Sequence, residues 1–214
     1  MSGEVPEHTW TDHEKVHEYL GRVGRLAARA AGEAELVENL PDQVERVLDL
    51  GCGDGRLAAV VLEARPGATE AVALDSSVPM LDLARERFGD DARISLLEHD
   101  LCDGLPDLGS FDVVVSGFAI HHLPHERKQS LFGEVAAALR PSGIFTNLEV
   151  VQCATEELQA EFYRRIGRPD GDPQDLLAEV EPQLQWMRTA GLSQVDCAWR
   201  WRGFALLVGG APAA

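Results

Sequence analysis

The feature that most constrains this chain of 214 residues is a five-residue apolar run, Arg46-Val47-Leu48-Asp49-Leu50, feeding straight into Gly51-Cys52-Gly53-Asp54-Gly55. The run reads as a buried strand and the glycines as a tight turn. The segment that follows, Leu57 to Ala64, reads as a helix that stops at Pro66-Gly67. Glycine opens backbone angles closed to other residues and lets a ligand approach the main chain. A helix N-terminus adds N–H groups with no partner inside the helix. Such a turn cradles a nucleotide-like ligand.

The same unit recurs. Ala71 to Asp75 is a second strand, after which Ser76 and Ser77 are candidate caps and Pro79 suits the first helical turn. Ile94 to Glu98 predicts a third strand, ending at His99-Asp100-Leu101, and Phe111 to Ser116 a fourth. A helix over 125–139, the turn Arg140-Pro141-Ser142-Gly143 and a fifth strand over 144–151 follow. Strands alternating with helices predict βαβ units and a mostly parallel sheet. Helices are also expected over 12–31, 155–166 and 173–190. Residues 195–202 alternate in period two, and 204–208 follow after one tight turn, which makes an antiparallel hairpin. The expectation is one domain: an N-terminal helical cap (1–44), a ligand-binding core (45–151), a helical insertion (152–192) and a C-terminal hairpin (193–209).

Asp75 lies 20 residues past Gly55 at a strand end, where a carboxylate accepts from ribose hydroxyls. Asp100 ends the third strand, where a carboxylate reaches an exocyclic amine. The dinucleotide pattern G-x-G-x-x-G fails, because Arg56 holds the third glycine position and Asp54 puts negative charge where a pyrophosphate would sit. A ligand without phosphate that carries positive charge suits these carboxylates better.

Residues 45–151 resemble the core of class I S-adenosylmethionine-dependent methyltransferases, through Asp49-Leu50-Gly51-Cys52-Gly53-Asp54-Gly55, Ala73-Leu74-Asp75-Ser76, His99-Asp100-Leu101 and the fourth-strand segment Phe111 to Ser116 with Ile120-His121-His122-Leu123. Leu139-Arg140-Pro141-Ser142-Gly143 is similar to the family's turn before strand five, which more often has Gly where Ser142 stands. The resemblance implies a Rossmann-like, doubly wound α/β fold with a seven-stranded mostly parallel sheet and a terminal antiparallel hairpin strand. It implies S-adenosylmethionine as cofactor and S-adenosylhomocysteine as product. Gly51, Cys52 and Gly53 would line its methionine part, with Asp49 near the amino group. Asp75 and Ser76 would take the ribose, Met80, Asp100 and Leu101 the adenine, and Ser116 would lie at the end of the fourth strand. Asp112 resembles a structural residue of the family rather than a ligand.

Next to the expected sulfonium stand His121 and His122, candidates for moving a proton near neutral pH, with Glu149 near the end of strand five. Tyr19, Phe118, Phe162, Tyr163 and Trp10 are candidates to wall an acceptor pocket. No metal is needed for methyl transfer. A formal net charge of −17 repels phosphate backbones and anionic lipid headgroups, so a small-molecule acceptor is favoured over nucleic acid or membrane. No apolar run is long enough to span a bilayer. Four cysteines without metal spacing read as small buried residues of a reducing compartment, hence a cytoplasmic location. A homodimer is compatible with this reading, and the sequence does not give the oligomeric state. Two alternatives stay open: another use of the cofactor, such as carboxy-S-adenosylmethionine synthesis or aminopropyl transfer, and non-catalytic binding. The stretch from Val180 to Val208 loosely resembles proteins that make carboxy-S-adenosylmethionine.

Overall fold

A computed structural model describes residues 12–23 and 26–212. Seven strands form one sheet: β1 (Arg46–Leu50), β2 (Glu70–Asp75), β3 (Ile94–Glu98), β4 (Phe111–Gly117), β5 (Leu139–Val150), β6 (Ser193–Trp201) and β7 (Phe204–Gly210), in the order β3-β2-β1-β4-β5-β7-β6. Strands β1 to β5 pair in parallel, and β7 is antiparallel to both neighbours. The expected fold class holds, hairpin included. Helices α1 (His13–Val23), α2 (Ala27–Glu38), α3 (Arg56–Ala64), α4 (Val78–Phe88), α5 (His125–Ala138), α6 (Glu156–Arg165) and α7 (Val180–Thr189), with a 3-10 turn at Ile120–His122, complete the described elements.

Period-two alternation splits the core between the faces of the sheet. Leu48, Leu50, Val114, Phe132 and Phe145 pack on one face, while Val47, Val113, Val115, Leu148 and Leu206 pack on the other. The parity places Asp49 on the second face. There its Oδ2 accepts from Ala58 N of α3 at 2.9 Å, answering one of the helix's open N–H groups. Asp112 accepts from Glu45 N and Arg46 N and pairs with Arg140, a brace as expected.

Two helical expectations need correction. The helix expected over 12–31 is two helices: Leu26 is extended (φ −78°, ψ 110°) and starts α2, which runs on to Glu38. The helix expected over 173–190 begins at Val180. Its first seven residues are a strap whose backbone bonds outward: Leu176 N donates to His121 O, and the carbonyls of Gln174, Leu176 and Leu177 meet His122, Lys128 and His125. These tertiary partners take the groups a helix would have used. Ser142 has φ +65°, which gives a backbone reason for glycine at the matching position of similar proteins.

Candidate functional site

A cleft with a cavity volume of about 440 Å³ opens at the carboxyl ends of β1, β2, β3 and β4. Gly51 (φ +66°) forms its floor, and a Cβ there would stand 2.2 Å from the Cβ of Ala119. The approach of the 3-10 turn Ile120–His122 to the main chain at Gly51 therefore requires glycine. Gly53 is also left-handed at φ +54°, and a Cβ there would stand 3.7 Å from Met80 Sδ, an ordinary contact. Asp75 stands at the wall, its Oδ2 accepting from Gly53 N and its Oδ1 from Ser77 N, both at 2.8 Å. A carboxylate oxygen has lone pairs to spare after one such bond, so Asp75 can take ribose hydroxyls while holding the turn. Burial pushes its carboxyl pKa up, against the pull of these N–H donors.

Cys52, Ser76, Met80, Asp100 and Leu101 line the same cleft. Asp100 accepts from Cys102 N at 2.8 Å, which fixes its carboxylate at the rim. Of the two candidate caps, Ser77 caps α4, taking Met80 N, and Ser76 is left on the wall. Asp49 and Ser116 sit below the turn rather than on the cleft wall. Asp49 is buried with Oδ1 unpartnered, facing a small cavity shared with Arg29 and Glu33. Burial raises its pKa to about 7, partly offset by Ala58 N. Ser116 Oγ donates to Leu50 O at 2.8 Å. Asp54 is on the wall, but Arg87 pairs with it, which tempers its charge.

A second chamber, about 50 Å³, adjoins the cleft and shares Tyr19, Arg29, Phe118 and His122 with it. Leu26, Val150, Tyr163, Ile166 and Phe204 give it apolar and aromatic walls, and His121 and Asp175 open into it. His121 Nδ1 meets Glu149 Oε1 at 2.6 Å, and Glu149 Oε1 also accepts from Val150 N at 2.7 Å. Burial disfavours the charged ring of His121, but Glu149, with help from Asp175, outweighs it and raises the pKa above the ordinary value. For His122, burial and the neighbouring His121 ring depress the pKa to about 3, so this imidazole stays neutral. Ligand-type atoms of His121, His122 and Asp175 lie within 4.8 Å of one another, a grouping that could hold a metal ion. His122 Nδ1, however, also meets the Gln174 carbonyl at 3.2 Å.

The structure thus brings the three catalytic candidates His121, Glu149 and His122 together beside the cleft. Tyr19, Phe118 and Tyr163 wall the chamber. Phe162 lies behind it, packed on Phe204 and Trp201, and Trp10 is outside the described residues. Sequence reasoning missed three groups. Arg29 lines both chambers, with only its i,i+4 spacing to Glu33 as a signal. Lys128 is buried on α5 and donates to the carbonyls of His121 and Leu176. Asp175 sits on the strap with no pattern around it. The four cysteines are free, but Cys102 is exposed, contrary to the expectation of burial.

Residues 47–143 match the family model described as a methyltransferase domain. The chain is 36% identical over 128 residues to an uncharacterized methyltransferase of Mycobacterium tuberculosis (strain ATCC 25618 / H37Rv), covering 59% of this chain and 60% of that protein. It is 30% identical over 136 residues to the ornithine lipid N-methyltransferase of Singulisphaera acidiphila, covering 61% of this chain and 69% of that one. The chain belongs to the class I S-adenosylmethionine-dependent methyltransferases. This methyltransferase is also 28% identical over 165 residues to the carboxy-S-adenosyl-L-methionine synthase of Hydrogenovibrio crunogenus, covering 72% and 64% of the two chains. Its fold matches that of an O-methyltransferase family protein from Burkholderia thailandensis with a TM-score of 0.73 at 20% identity, covering 94% of this methyltransferase and 60% of that chain. The methyltransferase spans about three-fifths of the length of the first curated relatives it matches. No helix among the described residues is long and apolar enough to cross a membrane.

Proposed function

We propose that this methyltransferase transfers a methyl group to an oxygen of a small-molecule acceptor, with His121 as the general base. The observation that carries this reading is the 2.6 Å contact between His121 Nδ1 and Glu149 Oε1 in a buried pocket beside the cofactor cleft. The carboxylate keeps the proton on Nδ1, which leaves Nε2 bare towards the acceptor chamber. Bound S-adenosylmethionine supplies an activated methyl group on a positively charged sulfur. Asp75 would hold the ribose, Gly51 and Gly53 the methionine part, and Asp100, Leu101 and Met80 the adenine. The remaining work of the chain is to align the acceptor, exclude water and take one proton, chiefly a proximity effect. His121 Nε2 receives the acceptor's O–H proton, and Glu149 steadies the imidazolium that results. His122, neutral, lines the cleft wall between the two chambers without competing for that proton. With a net charge of −17, an uncharged acceptor suits the surface better than a polyanion.

A second reading, synthesis of carboxy-S-adenosylmethionine, draws on the similarity to synthases of that compound. A carboxyl donor is an anion and needs a cation. The two arginines at the acceptor chamber, Arg29 and Arg168, are already paired with Glu33 and Asp172. Glu149 and Asp175 add negative charge there, which favours methyl transfer.

The test is mass spectrometry of the nucleoside product after incubation with S-adenosylmethionine and a panel of phenols and alcohols. S-adenosylhomocysteine, lost in His121→Ala, is the expected product. Carboxy-S-adenosylmethionine, or S-adenosylhomocysteine undiminished in His121→Ala, would overturn the reading.

A further inference from the structure

The reaction above gives no hydrogen-bonding task to a buried carboxylate beside its base. Asp175 has a side chain only 6% exposed, yet its Oδ1 has no hydrogen-bond partner. Its other oxygen, Oδ2, accepts from Tyr163 OH at 2.6 Å, so the carboxylate is fixed in rotation. Oδ1 stands 3.5 Å from His121 Nε2, too far for a good hydrogen bond, and both atoms belong to groups that line the acceptor chamber. An unpartnered carboxylate oxygen out of water is costly. Two bare acceptors side by side, one of them an anion, call for a ligand that offers two donors side by side.

We propose that His121 Nε2 and Asp175 Oδ1 form a two-point site for an acceptor carrying hydrogen-bond donors on adjacent carbons, a vicinal diol on an aromatic ring. One hydroxyl gives its proton to His121 and is methylated; its neighbour donates to Asp175 and sets the orientation. The aromatic frame follows from the walls Phe118, Tyr163 and Phe204; a ring is larger than the chamber's volume of about 50 Å³, so it extends past the shared Phe118 and His122 into the adjoining cleft. Arg168, also on the chamber wall, is paired with Asp172. The strap that carries Asp175 is pinned by Leu176 N on His121 O and by Lys128 on both His121 O and Leu176 O, so the two points move as one body. Asp175 is thus a specificity residue, and Tyr163 and Lys128 are positioning residues.

The inference rests on the O-acceptor reading, and its test separates the two. Catechol, hydroquinone and phenol are titrated calorimetrically into the full chain loaded with S-adenosylhomocysteine. Catechol is expected to bind at least about tenfold tighter than hydroquinone or phenol, the worth of one charge-assisted hydrogen bond. In Asp175→Ala that preference falls to about twofold or less, with folding checked by circular dichroism. Tyr163→Phe, which keeps the carboxylate but frees its rotation, keeps part of the preference and guards against a misfolded alanine variant. Equal binding of the three probes, or a preference that survives in Asp175→Ala, overturns the vicinal site. Preferential binding of catechol with no S-adenosylhomocysteine formed from S-adenosylmethionine overturns methyl transfer and leaves the vicinal site standing.

Discussion

The two halves of the pocket are built from different materials. The half proposed for the cofactor is made of strand ends and main chain: Gly51, Gly53, Asp75 and Asp100 stand where β1, β2 and β3 stop, in a register set by the parallel sheet. The half proposed for the acceptor is made of side chains from distant segments: His121 from the turn after β4, Glu149 from β5, Tyr163 from α6, Asp175 from the strap and Arg29 from α2. The first can be kept while the second is rebuilt, because the side chains of the second come from outside the strands β1 to β3 that carry the first. Function on a shared fold diverges in this way.

Breaking the acceptor half should abolish turnover without touching the cofactor. His121→Ala is expected to lower kcat by about 10³-fold, the usual worth of a positioned base, while the affinity for S-adenosylmethionine measured by calorimetry shifts by about twofold or less. Breaking the cofactor half should instead cost binding and stability together. Gly51→Ala places a methyl 2.2 Å from Ala119 Cβ at φ +66°, and is expected to destabilise by about 3 kcal/mol in denaturant unfolding and to abolish measurable cofactor binding.

The pH profile sharpens the comparison. Glu149 holds the pKa of His121 above its ordinary 6.5 against the effect of burial. A raised pKa keeps the ring protonated, and so useless as a base, up to a higher pH. Activity is therefore expected to rise through a midpoint above 6.5. In Glu149→Gln the supporting charge is gone, the midpoint moves to lower pH, and the plateau falls about tenfold because a less basic ring takes a proton less readily. The smallest effect lies outside both halves: Ser142→Gly, at φ +65°, should stabilise by about 0.5 kcal/mol, relief of left-handed strain offset by the extra freedom of glycine when unfolded.

The same division governs what was legible in the sequence. The cofactor half could be read because local pattern dictates it. An apolar run ending in glycines, and aspartates at strand ends, announce themselves within ten residues. His121 and His122 stand out as candidates because they follow such a strand. Asp49 and Ser116 were placed at the right strand but below its surface, since alternation alone does not say which face the ligand occupies. The strap was misread as helix because its hydrogen-bond partners, His121, His122, His125 and Lys128, lie about 50 residues away. Asp175 and Arg29 carry no local signal: only the fold brings them to the chamber.

The central claim is that a positively charged adenosyl compound lies on the Gly51 turn with its ribose on Asp75, and a direct calorimetric titration tests it. The wild-type chain is expected to bind S-adenosylmethionine, and Asp75→Ala to bind it about 100-fold more weakly, the loss of two hydrogen bonds to a carboxylate. Equal affinity in the two proteins, or no binding by the wild type, would contradict the account.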